Sequence, residues 1–286
     1  MLRENAQVTL RFGDALMDIS SPIVMGILNV TPDSFYAASR VSASTSDIVD
    51  IAAGMLAEGA SILDVGGMST RPGAVEITIG EELDRVLPVI ELIHSAFPEA
   101  IISLDTYRSE VARQGLVAGA RMINDISGGG FDPEIINVVK EHQVPYVLMH
   151  TRSRPVDMQQ HVDYSDFIGE LIQYFVEKLS RLNAMEIADI IIDPGFGFAK
   201  TMRQNYEMVD KLNVFRFLGH PVMIGLSRKS TLAHTIGKPT EETLYATSAL
   251  HLAALQRGAS ILRVHDVGPA MDVIRVYQQM NQIQNP

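Results

Sequence analysis

The chain has 286 residues, 47% of them hydrophobic, with a mean hydropathy of +0.12, enough apolar material for a large buried core and far from a disordered composition. A formal charge of −11, from 23 basic and 34 acidic residues, excludes the basic field that a nucleic-acid surface needs, so any anionic ligand must be held by a few locally placed cations. Cysteine is absent, which removes disulfides and thiolate chemistry, and Met1–Gln7 lacks an export pattern. No apolar run reaches the roughly 20 residues that span a bilayer, so a cytoplasmic protein with no membrane or nucleic-acid partner is expected.

In chain order, Val8–Phe12 and Ala15–Ile19 around Gly13-Asp14 read as a small hairpin, an extension over residues 1–20 that closes the bottom of the domain. Short β-branched runs then recur, each followed by an amphipathic stretch of helical length. Strands are predicted at Ile23–Asn29, Ser61–Val65, Ile101–Asp105, Arg121–Asp125, Tyr146–His150, Ile190–Asp193, Val222–Leu226 and Ile261–His265. Helices are predicted near Asp47–Glu58, Glu81–Ala96, Ser109–Ala118, Pro133–His142, Ser165–Met185, Arg203–Leu218 and Glu241–Arg257, with a last one after Pro269. This alternation predicts an α/β fold with an all-parallel sheet, and the count favours a closed (β/α)8 TIM barrel as one domain over residues 1–286. A doubly wound open sheet is the alternative. Gly59, Gly119, Gly219 and Gly258 each stop a predicted helix just before a strand, where the left-handed residue after a helix end favours glycine.

The predicted strands stay apolar until their ends and then turn polar, at Asn29, Asp64, Asp105, Asn124-Asp125, His150, Asp193, Ser227 and Arg263/His265. In a barrel these positions converge on the rim that carries catalysis. One polar strand end would be an ordinary cap for the next helix; a full ring of them is not. The loops add Asn29-Val-Thr-Pro-Asp-Ser-Phe35, Gly66-Gly-Met-Ser-Thr-Arg-Pro-Gly73, Asp193-Pro-Gly-Phe-Gly-Phe198 and Ser227-Arg-Lys-Ser230. Turns need glycine and proline, but they do not need Arg71, Arg228, Lys229, Arg263 and His265. An acidic chain that gathers cations on one rim is built to hold phosphate or carboxylate, and the amides at the start of the last helix are placed to help.

Together with Asn124-Asp-Ile-Ser-Gly128, these loops, in this order and spacing from about Ile23 to Val267, resemble those of the dihydropteroate synthase family of pterin-binding enzymes. The resemblance implies condensation of 6-hydroxymethyl-7,8-dihydropterin diphosphate with 4-aminobenzoate, giving 7,8-dihydropteroate and pyrophosphate with Mg2+, in folate biosynthesis. It further implies a homodimer and a sulfonamide target. By position-by-position match, the pterin falls to Asp105, Asn124, Ile126, Met149, Asp193, Phe198, Gly225 and Lys229. The diphosphate falls to Asn29, Arg71, Arg263 and His265, with Asn29 also toward the metal. The aminobenzoate falls to Thr70, Arg71, Pro72, Phe198, Ser227 and Lys229, and the catalytic set is Asp105, Lys229, Arg263 and Asn29. The chemistry of the residues agrees. A carboxylate such as Asp193 accepts the paired N–H groups of a pterin edge, Asn124 adds a donor and an acceptor, and Ile126, Met149 and Phe198 supply apolar walls. An aromatic amine is neutral at pH 7, so the reaction needs alignment and stabilisation of the leaving diphosphate more than a base.

Some positions depart from the family pattern. Tyr36-Ala-Ala-Ser39 stands where Ser-Asp-Gly-Gly is common, Met68 where Glu is common, and Thr151 where Met is usual. They bear on loop geometry and rate more than on the reaction. Asp64, Asp125 and His150 read as orienting or packed residues. The rival readings are a methyltetrahydrofolate-dependent methyltransferase, a lyase forming a Schiff base through Lys229, and a non-catalytic pterin-binding protein. The cations after the second, seventh and eighth predicted strands disfavour the first. The retention of Asp105, Lys229 and Arg263 disfavours the last.

Overall fold

The computed structural model describes residues 9–31, 45–71 and 73–284. Most of the first loop, including Tyr36 to Ser39, and Pro72 lie outside the described residues. The chain opens with an antiparallel hairpin, β1 (Thr9–Phe12) and β2 (Ala15–Asp18), turning at Gly13-Asp14. There follow β3 (Ile23–Asn29), α1 (Thr45–Glu58), β4 (Ile62–Gly66), α2 (Ile79–Ala96), β5 (Ile101–Asp105), α3 (Ser109–Ala118), β6 (Met122–Asp125), α4 (Ile135–His142) and β7 (Tyr146–Met149). Then come α5 (Phe167–Ala184), β8 (Ile190–Asp193), α6 (Met202–Asp210), β9 (Met223–Ile224), α7 (Ser230–Ile236), α8 (Leu244–Gln256), β10 (Ile261–Val264) and α9 (Val267–Gln284).

The eight strands β3 to β10 form one parallel sheet in the order β8-β7-β6-β5-β4-β3-β10-β9. A parallel bridge between Ile192 and Val222, with the Ile192 N–H donating to the Pro221 carbonyl at 2.9 Å, joins β8 to the start of β9 and closes the barrel. The open doubly wound alternative is thereby excluded.

Side chains alternate along each strand, so every second residue faces out. Val24, Leu63, Ile102, Ile123, Ile190 and Leu262 face the helices and build the main core. Their neighbours Met25, Ile62, Met122, Val147, Ile191, Met223 and Ile261 fill the lower interior of the barrel, and Leu10, Phe12 and Ile19 of the hairpin region plug it from below. The hairpin thus closes the bottom as expected. A cavity of about 470 Å3 beside it, lined by Met17, Leu56, Ala60, Phe97, Pro98 and Ile101 among others, gathers no cation.

The helices differ from expectation in three places. The predicted helix to Leu218 ends at Asp210 and gives way to a 3-10 turn over Leu212–Leu218, where Leu212 and Phe215 are buried three residues apart, the period of that tighter helix. Helix α7 was not expected: only Leu232 of its seven residues is buried, so it carries no amphipathic pattern. Helix α9 starts at Val267 rather than after Pro269, because proline's missing N–H falls in the first turn, where it needs no intrahelical partner. The glycine stops at 59, 119, 219 and 258 all take positive φ, as predicted.

Candidate active site

Two residues above the apolar floor, the barrel interior changes character. Asp64, Ser103, Asn124, Asp193 and Arg263 stand where the strands below carry Ile62, Ile101, Met122, Ile191 and Ile261. Four of these five polar side chains are buried and Arg263 is mostly so. Asp64, Asn124 and Arg263 are bonded to one another. The Arg263 guanidinium donates through Nε to Asp64 Oδ2 and through Nη2 to Asp105 Oδ2, both at 2.6 Å. The same Asp64 oxygen accepts from Asn124 Nδ2 at 3.0 Å. Across the barrel, Asp193 Oδ1 accepts the Gly195 N–H at 2.8 Å, which shapes the turn after β8. Gly195 takes φ +76 with the His150 carbonyl pressed against it, a position no side chain could share.

Charge balance sets the electrostatics. Burial, with Asp64 nearby and against the pull of Arg263, pushes the Asp105 carboxyl up to about 7. Burial also raises Asp193, although the Gly195 amide and Lys229 oppose it. Burial and the Arg263 charge push the Lys229 ammonium down to about 8, while Asp193 and Asp105 pull the other way. Arg263, gripped by two carboxylates, stays charged throughout. The floor therefore has more carboxylates than firmly charged cations and suits a ligand edge rich in N–H donors.

The walls are apolar. Met68, Ile126, Met149, Met158 and Phe198 form a small cluster at the rim with Tyr107 and Ala199. Lys229 Nζ lies 4.7 Å from the centre of the Phe198 ring, a cation–π contact. Gly225 leaves the opposite wall bare, since a Cβ there would meet only the Arg263 Cβ at 4.0 Å. Gly66 keeps a notch open between Asn29 and Asp105: a Cβ there would lie 3.5 Å from Asn29 Oδ1 and 3.4 Å from the Asp105 Cβ.

The rim carries the remaining predicted residues. The His265 amide donates to Ser227 Oγ at 3.1 Å, and the ring's Nδ1 lies 3.3 Å from the same oxygen. The enclosing rim loops and the charges of Arg263, Arg228 and Lys229 lower the pKa of His265, although its outer edge is open to solvent. Thr70 and Arg71 stand on the loop after β4, with Arg71 exposed. That loop is fixed at its far end: Gly73 N–H donates to the Pro155 carbonyl at 2.9 Å, and Glu76 pairs with Arg154 at 2.6 Å. Arg108 bonds the Ile77 carbonyl at 2.6 Å and buried Glu82 at 2.9 Å.

Two rim expectations change. Arg228, one of the cations expected to meet an anion, is committed to Asp266 through Nε at 2.9 Å and Nη2 at 2.5 Å. The start of α9 is not an open anion site, because the Glu58 carboxylate accepts the Gly268 N–H at 2.8 Å. Asn124 gives one of its two N–H donors to Asp64, which leaves its other N–H and its carbonyl for a ligand. Asp125 and His150 behave as read. Asp125 accepts from Ser127 N, Gly129 N and the Tyr146 hydroxyl, each at 2.7 Å, and so builds the turn after β6. The His150 ring packs edge-on against Tyr174 and is held neutral by burial and by Lys200. Lys200 itself was missed. Its buried Nζ donates to the Phe198 carbonyl at 2.9 Å and lies 3.1 Å from His150 Nδ1, tying the loop after β8 back to β7. The only sequence signal was a lysine closing the otherwise apolar run Phe196–Ala199.

Residues 25–265 match the family model described as pterin binding enzyme. Over 256 residues, 88% of each chain, the sequence is 43% identical to the dihydropteroate synthase of Synechocystis sp.. The fold is similar to the crystal structure of the Yersinia pestis dihydropteroate synthase with a sulfonamide drug complex, at a TM-score of 0.89 and 34% identity over 96% of this chain and 99% of that one. It is also similar to the Xanthomonas albilineans dihydropteroate synthase with 4-aminobenzoic acid, at a TM-score of 0.88 and 37% identity over 96% of this chain and 98% of that one.

Proposed function

This chain belongs to the pterin-binding enzyme family, among its dihydropteroate synthases, and on that premise we infer that it condenses 6-hydroxymethyl-7,8-dihydropterin diphosphate with 4-aminobenzoate, releasing 7,8-dihydropteroate and pyrophosphate in folate biosynthesis. The observation that carries the reading is one barrel interior with a carboxylate floor, Asp64, Asp105 and Asp193, below a rim holding Arg71, Lys229, Arg263 and His265. A methyl donor lacking a diphosphate would give the exposed Arg71 guanidinium no anion to meet. We read residues 1–286 as one pterin-binding domain.

In this reading the pterin lies on the floor, with Asp193 accepting its paired N–H groups through the carboxylate and Asn124 adding its carbonyl. Ile126, Met149, Phe198 and Lys229 enclose the ring, and the bare Gly225 gives it room. The diphosphate points to the rim, toward Arg263, His265, Asn29 and Arg71. Asp105 stands between the two, where an ionised carboxylate stabilises positive charge growing on the pterin methylene as the C–O bond to diphosphate lengthens. Arg263, already bonded to Asp105, is placed to follow the departing oxygens. The aromatic amine attacks from the side of Ser227, Lys229, Phe198 and the Thr70–Arg71 loop, with Pro72 as the family match adds. As the C–N bond forms, the attacking nitrogen carries one proton too many and releases it to the departing pyrophosphate or to water; an N-alkylated anilinium is acidic enough that no strong base is required.

Magnesium suits this arrangement. It keeps several waters and binds chiefly through substrate phosphates with few protein oxygens, and Asn29 Oδ1 beside the notch at Gly66 offers one such oxygen. Asn29 would hold the ion, which when bound supplies neutralisation of the diphosphate charge. The test of the reaction is detection of dihydropteroate, by mass, after incubation of the enzyme with both substrates; its absence removes the reading.

We read the enzyme as cytoplasmic, in keeping with the lack of cysteine and with the absence, among the described residues, of any helix long and apolar enough to cross a membrane. We also read it as a homodimer. Met202, Phe217, Ile236 and Tyr245, all exposed, lie on the neighbouring elements from α6 to α8. Sedimentation equilibrium should give twice the 31.4 kDa chain mass, and Phe217→Glu with Tyr245→Glu should halve it. A monomer in the unmodified protein contradicts this.

A further inference from the structure

Asp64 takes no part in the condensation itself, yet it bonds two residues that do. Its side chain is fully buried, and its Oδ2 takes two donors from opposite sides, Asn124 Nδ2 at 3.0 Å and Arg263 Nε at 2.6 Å. One of these partners faces the pterin floor and the other the phosphate rim. The second oxygen, Oδ1, is buried with no partner of its own, as is Oγ of Ser103, the residue paired with Asp64 across β4 and β5. A buried carboxylate is costly unless it is neutralised and bonded. The need for one here is met by what it does to its two neighbours.

A carboxylate has only acceptors to offer. Facing Asp64, the Asn124 amide must turn its NH2 inward, since the reversed amide would set one oxygen against another. The Asn124 carbonyl is then left for the ligand, with the one N–H that Asp64 does not use beside it. Asp64 therefore fixes the sign of recognition at that point: Asn124 accepts a hydrogen bond from a bound ring edge. On the other side the ion pair anchors Arg263 by Nε and leaves Nη1 and Nη2 directed away from it. Of these, Nη2 is now held by Asp105, a carboxylate whose own charge is marginal near neutral pH. The inner grip, on fully buried Asp64, is closed to solvent, and the outer one, on Asp105, lies at the edge of the cavity.

We propose that Asp64 is a positioning residue that couples the two halves of the site, orienting Asn124 to present its carbonyl to the pterin and holding Arg263 so that its outer nitrogens pass from Asp105 to the diphosphate. This rests on the condensation reading. It predicts that a residue touching neither ligand controls the affinity for both.

Calorimetry with 6-hydroxymethyl-7,8-dihydropterin and, separately, with pyrophosphate plus Mg2+ tests it. In the unmodified enzyme both must bind; if neither does, the condensation reading fails before Asp64 is tested. In Asp64→Asn, each affinity should fall about tenfold, the usual scale of one lost charge-assisted hydrogen bond. The loss for the pterin should shrink to within about twofold when Asn124 is already Ala, and the loss for pyrophosphate should do the same when Arg263 is already Ala, because coupled residues are not additive. The KM for 4-aminobenzoate, at saturating pterin diphosphate, should stay within about twofold, which a general loosening of the barrel would not allow. Additive losses in both cycles, or an equal rise in all three constants, overturn the proposal. Should Asp64→Asn not fold, NMR of the unmodified protein serves. The Asn124 side-chain N–H that faces Asp64 should be protected from exchange in the free enzyme and unmoved by pterin. Its transfer to the ligand, seen as loss of protection or a large shift on binding, overturns the orientation.

Discussion

At the scale of single residues, the site trades stability for chemistry. Asp105 is held near 7 in the folded protein, against about 4 in an unfolded chain. A carboxyl raised in this way favours folding below about pH 4, and the benefit is lost as the pH climbs through about 7. Asp64 alone already neutralises Arg263, so a charged Asp105 is surplus in the empty site. Asp105→Asn should therefore melt a few degrees higher than the unmodified enzyme at pH 8 and at the same temperature near pH 4, while losing turnover. A lower melting temperature at pH 8 would mean that Asp105 stabilises the fold. The same groups predict the pH profile of kcat/KM: it should fall below about 7 as Asp105 takes a proton and above about 8 as Lys229 loses one. Asp193→Asn should weaken pterin binding by about 2–3 kcal/mol, the worth of a charge-assisted pair. Unchanged affinity by calorimetry would reduce Asp193 to a turn residue before Pro194. The placement of Asp193, Asp105 and Arg263 at strand ends was legible because the rim rule needs only strand boundaries. The bonds among them were not. Asp64 and Arg263 lie 199 residues apart, and their contact depends on side-chain reach across the barrel, which no local pattern encodes.

At the scale of elements, periodicity served where a face is buried and failed where it is not. Helix α3 runs from Ser109 to Ala118, the predicted bounds, with Val111, Ala112, Gly115 and Leu116 buried at helical spacing. Helix α7 escaped notice because it buries one residue. The anion site expected at α9 failed for a different reason: the Glu58 that occupies it comes from α1, 210 residues away. The loop after β4 shows how elements govern binding. Arg154, Pro155 and Arg108 pin Gly73, Glu76 and Ile77, so closure over a ligand falls to the Thr70–Arg71 segment rather than to the whole loop. 4-Aminobenzoate has little binding energy with which to order such a segment, whereas the diphosphate gives Arg71 a charge to close on. Calorimetry should show 4-aminobenzoate binding at least tenfold more tightly with pyrophosphate and Mg2+ present than alone, a coupling of about 1.4 kcal/mol. Equal affinities would show a preformed pocket.

At the scale of the molecule, the barrel is divided along its axis. The lower half is apolar and sealed by Leu10, Phe12 and Ile19, and the upper half collects buried carboxylates under a cationic rim. The division explains how a chain of net charge −11 can hold a diphosphate: Arg71, Lys229 and Arg263 act locally, where the surrounding protein strengthens each contact. The central claim is that the floor and the rim serve one condensation, in which diphosphate leaves as the amine arrives. It is tested most directly by following pyrophosphate and dihydropteroate together in a single reaction of the purified enzyme. The two should form at equal rates, with neither appearing when 4-aminobenzoate or the pterin diphosphate is omitted. Pyrophosphate released without dihydropteroate would make the protein a pterin diphosphatase, and tight pterin binding with no product of either kind would make it a binding protein alone.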